Sequence, residues 1–110
     1  MMEIRTYEKD GVRVLDLAGR LDAEQAEYLK DEFRKILLPN SKVVFNLREL
    51  TYLDSTGLGA IVFCFKCCDD KSGKLKLANV GDEPRMILDL TCAYRIFDIY
   101  DDLDLAIASF

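Results

Sequence analysis

The stretch from Leu50 to Ala60, LTYLDSTGLGA, constrains the fold more than any other part of the chain. A strand-like apolar run at residues 43–47 precedes it, and apolar residues at helical spacing follow it from Leu58 to Phe65. Residues 54–56, Asp-Ser-Thr, therefore lie where a loop turns into a helix. The sequence predicts a strand, a loop and a helix in succession, with three short oxygen-bearing side chains at the helix N-terminus.

These three side chains have two interpretations. A helix start leaves backbone N–H groups unpaired and carries a partial positive charge, and Asp, Ser and Thr are common caps for those groups. On this interpretation, which residue types alone favour, Asp54, Ser55 and Thr56 only cap the helix. The other interpretation is a phosphate site, because an exposed hydroxyl at a helix N-terminus suits a phosphate group.

The remaining chain alternates between strands and helices after an opening hairpin. Two strand-like runs, 4–7 and 12–18, flank Asp10 and Gly11, and an Asp-Gly pair in this position is a strong hairpin signal. Asp22 followed by Gln25 resembles a capping box, and later helix starts follow at residues 82–84 and 101–102. Later strands are expected at 75–80 and 96–100. Residues 1–110 are therefore expected to form one α/β domain with a mixed sheet.

The third and fourth predicted strands also indicate how the helices are arranged. Apolar residues alternate with Asn46, Arg48, Lys74 and Lys76, whereas strands buried on both faces are more uniformly apolar. We therefore expect the helices to lie mainly on one face of the sheet, with the other face partly exposed to water.

Charge and composition exclude several classes of function. The formal net charge is −5 with no basic cluster, so direct nucleic-acid binding is not expected. No apolar run approaches the roughly 20 residues of a membrane span, and the N-terminal residues do not resemble a signal peptide. A cytoplasmic protein without a membrane partner is the expectation. The chain has no histidine, which excludes Ser–His–Asp and Cys–His catalysis.

The four cysteines, Cys64, Cys67, Cys68 and Cys92, suggest a different class of protein. A small thiol or metal protein would use the first three, but they lie in a predicted helix without a matching second ligand pair. Core packing is the favoured interpretation, and no metal site is predicted. Residues 57–59, Gly-Leu-Gly, complete neither a dinucleotide fingerprint nor a Walker loop, so no cofactor is predicted. Gly57 is expected to ease the tight entry into the helix.

Two blocks of the sequence carry a family resemblance. The block at residues 17–22, LAGRLD, and the block at 54–59, DSTGLG, follow the spacing of the STAS domain signature. Together with the strand end at 46–50, they resemble more narrowly the bacterial anti-sigma factor antagonists. The resemblance extends from the first strand to the last helix, and it implies a STAS-like fold and a regulatory binding protein that is not an enzyme.

The resemblance also implies roles for individual residues. The serine after the motif aspartate is phosphorylated in the antagonists, and by position this is Ser55. The partner-binding surface would comprise Asp22, Asp54, Ser55, Thr56 and Gly57, although residue type alone favours a helix cap for Asp22 over a partner contact. The implied partners are an anti-sigma factor that is also a serine kinase, and a serine phosphatase. The unphosphorylated form would bind the anti-sigma factor and free the sigma factor, and phosphorylation would stop binding.

One departure and one alternative remain. Before the last strand the family often has a Gly-Leu pair, whereas this chain has Thr-Cys-Ala-Tyr at residues 91–94. Contacts from the C-terminal third are therefore not carried over. Within the same family, the chain could instead be a scaffold or regulatory subunit of a larger signalling or transporter assembly.

Overall fold

The predicted hairpin opens the structure. In the computed structural model, which describes residues 1–110, β1 (Met2–Lys9) pairs antiparallel with β2 (Val12–Leu21) along its full length. The two turn residues, Asp10 and Gly11, have φ angles of 53° and 80°. A two-residue turn with positive φ at both positions matches the right-handed twist of the flanking strands, which explains the Asp-Gly pair.

The remaining elements alternate as the sequence indicates. They are α1 (Ala23–Ile36), β3 (Lys42–Asn46), β4 (Leu50–Leu53), α2 (Ser55–Asp70), β5 (Lys74–Ala78), α3 (Asp82–Leu90), a short 3-10 turn (Ala93–Arg95), β6 (Ile99–Tyr100) and α4 (Leu103–Ala108). No helix among them is both long enough and apolar enough to cross a membrane.

The strands form one mixed sheet in which β2 has three neighbours. The order along the sheet is β1-β2-β3-β5-β6, and every pair except β1–β2 is parallel. The first half of β2, residues 13–16, pairs with β3, and its last residues, 19–21, pair with β4. One side of β2 therefore pairs with β1, and the other side pairs first with β3 and then with β4. On that second side, β4 lies beyond the end of β3.

Apolar side chains on both faces of the sheet form two cores of unequal size. The larger core joins the sheet to α1, α2 and α3 and includes fully buried Phe33, Phe45 and Ile61. The smaller core, on the opposite face, joins Val14 and Val44 to α4 through Ala106 and Ile107. This arrangement confirms the expected α/β fold, with a mixed sheet, an opening hairpin and helices mainly on one face.

Three details differ from the expectation. The chain from Leu50 to Leu53 forms a strand, where the sequence indicated only a strand end and a loop. The last strand contains only Ile99 and Tyr100, because residues 96–98 form an irregular segment after a 3-10 turn at residues 93–95. Lys76, expected on a face open to water, is buried, and its Nζ donates to the Ser109 carbonyl oxygen and hydroxyl at 3.2 and 2.8 Å.

Candidate functional site

Two helices begin side by side at one edge of the sheet. Leu21 and Leu53 are register partners at the ends of the parallel strands β2 and β4. The next residue in each strand, Asp22 or Asp54, is extended and is the N-cap of the following helix. Parallel pairing therefore brings the two aspartates, and the positive ends of α1 and α2, to the same edge.

Each aspartate satisfies backbone donors of its own helix. Asp22 Oδ1 accepts hydrogen bonds from the Glu24 and Gln25 N–H groups at 3.1 and 3.3 Å. Asp54 Oδ1 accepts one from the Gly57 N–H at 2.8 Å. Gln25 returns no side-chain bond to Asp22, so only half of the predicted capping box forms. Both carboxylates have a structural task, which does not exclude contact with a partner because neither is fully buried.

Ser55 and Thr56 are the first two residues of α2, and both side chains are exposed. The expectation that all three residues of the Asp-Ser-Thr run cap the helix is wrong in this respect, since Asp54 alone makes the cap bond. The two hydroxyls are therefore not needed to close the helix N-terminus. They face solvent at a helix start, where the local backbone field favours an anion.

Gly57 links the two helix starts by close packing. A Cβ atom built on Gly57 would lie 2.1 Å from the Leu21 carbonyl oxygen, which no side chain permits. The φ angle of Gly57 is not among the positive ones, so freedom to turn is not the reason for glycine here. The expected role in easing the helix entry is therefore replaced by another: Gly57 lets α2 approach the end of β2.

Arg20 and Tyr52 form a second feature of this edge, to which sequence analysis assigned no role. Their Cα atoms are register partners, and the Arg20 guanidinium lies over the Tyr52 ring at 4.0 Å from its centroid. Arg20 Nε also lies 3.9 Å from Asp22 Oδ2. Both side chains are partly exposed, so the ion pair stabilises the domain little. Arg20 belongs to the 17–22 block, but its stacking partner comes from the strand that the sequence did not indicate.

An apolar surface adjoins the edge. Tyr52 and Leu53 line a shallow groove of about 270 Å³ together with α3 residues. Two of these, Met86 and Leu90, expose 61% and 76% of their surface. The groove begins one residue before the Asp54 cap.

The cysteines lie away from this edge and do not form a reactive site. Cys64 and Cys68 are buried against the large core. Burial raises the pKa of the Cys64 thiol, and burial raises the pKa of Cys68 to about 11. Thiolates are the form that binds metals and attacks disulfides, so these two groups are unsuited to either task. Cys67 is half-buried and Cys92 is exposed.

Comparison with known proteins gives matches along nearly the whole chain. A family profile described as the STAS domain matches residues 3–106. The chain is similar to the anti-sigma-B factor antagonist of Bacillus subtilis strain 168, with 31% identity over 85 residues, which cover 77% of this chain and 78% of that protein.

Two solved structures have the same architecture. One, described as that of a proposed anti-sigma factor antagonist from Thermotoga maritima, has a TM-score of 0.84 and 28% identity and covers 96% of this chain and 92% of that one. An anti-sigma factor antagonist from Mycobacterium paratuberculosis has a TM-score of 0.88 at 22% identity, over 99% of this chain and 93% of that one. The second likeness concerns the fold alone.

Proposed function

Because this chain belongs to the STAS domain family, we propose that it is an anti-sigma factor antagonist. It is a regulatory binding protein without catalytic activity of its own. Its unphosphorylated form binds an anti-sigma factor that is also a serine kinase, and this binding releases the sigma factor. Phosphorylation of Ser55 by that kinase stops binding, and a serine phosphatase restores it.

The exposed hydroxyl of Ser55 is the observation that carries this proposal. It lies at the first position of α2, and Asp54 supplies the cap, so the hydroxyl is free for a kinase. A structural serine at a helix start would instead be the N-cap. Thr56 has a similar exposure, but it follows Asp54 by one residue more and is assigned to the binding surface rather than to modification.

The proposed partner surface contains Asp22, Asp54, Ser55, Thr56 and Gly57. Asp22 and Asp54 present carboxylates to a partner that offers cationic or N–H donors, and the Ser55 hydroxyl forms the centre, with the Thr56 hydroxyl beside it. Gly57 is buried and acts through packing, since it holds the start of α2 against Leu21. The surface is built on two helix ends tied to one sheet edge, so it needs little ordering when a partner binds.

Phosphorylation acts on this surface mainly by charge. A phosphate brings roughly −1.5 to −2 charges beside the Asp54 carboxylate. The helix N-terminus favours an anion by about 0.3–1 kcal/mol at an exposed site, whereas like charges forced together at an interface cost several kcal/mol. In the complex, the charge repulsion and the poorer fit cost more free energy than the helix N-terminus contributes. In the free domain there is no partner surface to repel the phosphate. The free domain therefore stays folded while the affinity for the partner falls.

Calorimetric titration against the anti-sigma factor tests this switch. Ser55→Ala leaves the surface neutral and should bind like the wild type, but the kinase can no longer inactivate it. Ser55→Asp adds a charge beside Asp54 and should weaken binding at least tenfold, which is about 1.4 kcal/mol. Thr56→Asp is the matched control, since it adds the same charge one position further along the exposed helix start.

The measured affinities distinguish a regulatory role of Ser55 from a purely structural role at the helix start. Equal affinities of the Ser55→Ala and Ser55→Asp variants, both folded by circular dichroism, would assign Ser55 to the helix start alone. A weaker complex with Thr56→Asp than with Ser55→Asp would move the centre of the surface to Thr56. Phosphopeptide mapping after incubation with the kinase and ATP should find one phosphate on Ser55, and a phosphate on Ser55→Ala protein would contradict the assignment.

A further inference from the structure

The outer side of β1 is an open sheet edge, eight residues long. β1 pairs only with β2, and its eight residues keep an unbroken register with no bulge and no proline. The other edge strands are short, with two residues in β6 and four in β4. Natural proteins usually shorten, cover, bend, interrupt or charge an exposed edge, because its free N–H and C=O groups pair readily with another strand. Of these devices β1 carries the charges, at Glu3, Arg5, Glu8 and Lys9.

The backbone groups that face the open side can be identified from the hairpin. The Arg20 N–H donates to the Met1 carbonyl oxygen at 3.2 Å, so these two residues form a hydrogen-bonded pair. Antiparallel pairs alternate between hydrogen-bonded and non-hydrogen-bonded types. Every second residue of β1, from Glu3 to Lys9, therefore bonds to β2. The outward N–H and C=O groups belong to Met2, Ile4, Thr6 and Glu8.

We propose that β1 pairs antiparallel with β1 of a second copy of this chain, about a twofold axis at Thr6. In a register that aligns the outward groups, even-numbered residues of one copy lie opposite even-numbered residues of the other. The twofold axis of such a register can pass through any residue of β1, even-numbered such as Thr6 or odd-numbered such as Arg5. Centring on Thr6 engages residues 3–9 of each copy, and centring on Ile4 engages only residues 2–6 of the strand. Centring on Arg5 also engages seven residues but places Arg5 opposite Arg5, which like-charge repulsion disfavours.

Side chains match in the Thr6 register. Glu3 lies opposite Lys9 of the second copy, and Arg5 lies opposite Tyr7 of the second copy. Symmetry repeats both pairs. They are non-hydrogen-bonded pairs, in which Cα atoms are only about 4.5 Å apart and side chains contact most closely. Glu3, Arg5 and Lys9 are exposed, and Lys9 has further donors beside the one that bonds Asp104 at 2.9 Å.

The proposed pairing leaves the Ser55 edge free. β1 and β4 pair with opposite sides of β2, and Ser55 follows β4. The inference does not depend on the proposed function, and a dimer of this kind would carry two separate Ser55 sites.

Sedimentation equilibrium over a wide range of concentration tests the proposal. The wild type should show a monomer–dimer equilibrium. Glu3→Lys places Lys opposite Lys, and Lys9→Glu places Glu opposite Glu, so each variant alone should dimerise at least roughly tenfold more weakly. An equimolar mixture should recover dimers, because each Lys of one variant then faces a Glu of the other. A general loss of folding cannot produce this recovery.

A backbone variant tests the edge directly. Thr6→Pro removes one outward N–H and leaves the bonds to β2 in place, so it should give a folded monomer. Arg5→Pro is the contrasting variant, because it removes an inward bond and should lower the melting temperature instead. A wild type that is monomeric throughout would overturn the proposal, and so would a mixture of the two charge variants that forms no dimer. Undiminished dimerisation of folded Thr6→Pro protein would also overturn it.

Discussion

At the scale of single residues, the contact between Gly57 and Leu21 joins the two halves of the candidate site. The Gly57 backbone packs against the Leu21 carbonyl, and the Gly57 N–H bonds to Asp54. Leu21 directly precedes the other cap, Asp22. One glycine therefore determines how closely the two helix starts lie, and a change there displaces both caps together.

We expect Gly57→Ala to destabilise the domain. The new methyl group would meet the Leu21 carbonyl oxygen at 2.1 Å, so α2 or the end of β2 must shift. Overpacking of this kind costs about 1–3 kcal/mol of unfolding free energy. Urea unfolding followed by circular dichroism measures the loss. The same variant should bind the anti-sigma factor more weakly than its lower stability explains, because the surface itself is displaced.

Gly59→Ala is the matched control on the same helix. Gly59 is exposed, and a Cβ atom there has no neighbour within 4 Å. Alanine in a helix interior is favoured over glycine by about 0.5–1 kcal/mol, so this variant should be more stable than the wild type. Equal destabilisation by both substitutions would show that the Leu21 contact does not account for the Gly57 result.

Cap chemistry could be predicted from the sequence, but the packing of Gly57 could not. Asp22 and Asp54 bond to N–H groups two or three residues ahead, so the local order of residues is enough to expect them. The neighbour of Gly57 is Leu21, which is distant in the sequence. Only the parallel pairing of β2 with β4 brings the two together.

At the scale of secondary structure, α2 has both an exposed start and a buried, thiol-bearing body. We expect thiol reagents at neutral pH to modify Cys92 first, because it is exposed on the turn after α3. Cys68, with a pKa of about 11, should carry roughly a hundredfold less thiolate than an ordinary cysteine, and buried Cys64 should react only when the domain opens.

Spectrophotometric thiol titration of the native and unfolded protein measures these rates. Cys92→Ser should remove the fast phase and leave the slow phase unchanged. Rapid modification of all the thiols in the native state would contradict the packing of α2 against the sheet. It would instead indicate that the cysteines form an accessible, reactive cluster.

The strand β4 shows where sequence patterns fail at this scale. It has only four residues and pairs only with the last residues of β2. A strand this short has too few residues for an alternating pattern to be distinguished from a loop. β6 is shorter still, because residues 96–98, which were expected to be extended, form an irregular segment after the 3-10 turn at residues 93–95. The long elements, β2, α1 and α2, carry clear periodic patterns and were predictable.

At the scale of the whole molecule, the two faces of the sheet differ because α4 covers only part of the second. The exposure expected from the alternation of Lys74 and Lys76 holds for the first and fails for the second. The Lys76 ammonium bonds to Ser109 at the end of α4 and lies 4.3 Å from the Phe110 ring centroid. The alternating pattern of a strand predicts which side chains lie on each face of the sheet. Whether water reaches a face also depends on whether a helix later in the sequence covers it.

The triple pairing of β2 has a consequence for the order in which the chain folds. Pairing with β1 needs only the two-residue turn, whereas pairing with β3 or β4 must close a loop that contains all of α1. Closing longer loops costs more entropy and slows folding, so the hairpin is the cheapest first contact. We expect it to be formed in the folding transition state, where it aligns β2 before the helices pack.

Stopped-flow kinetics of Gly11→Ala tests this order. Alanine at a φ of 80° strains the turn, and the open space around Gly11 means that no clash adds to that strain. The folding rate should fall by nearly the full loss in stability, and the unfolding rate should change little. A change confined to unfolding would mean that the parallel strands come together before the turn closes. On the expected order, the hairpin is the template on which the parallel strands β3 and β4 are assembled, and β5 and β6 extend the sheet from β3.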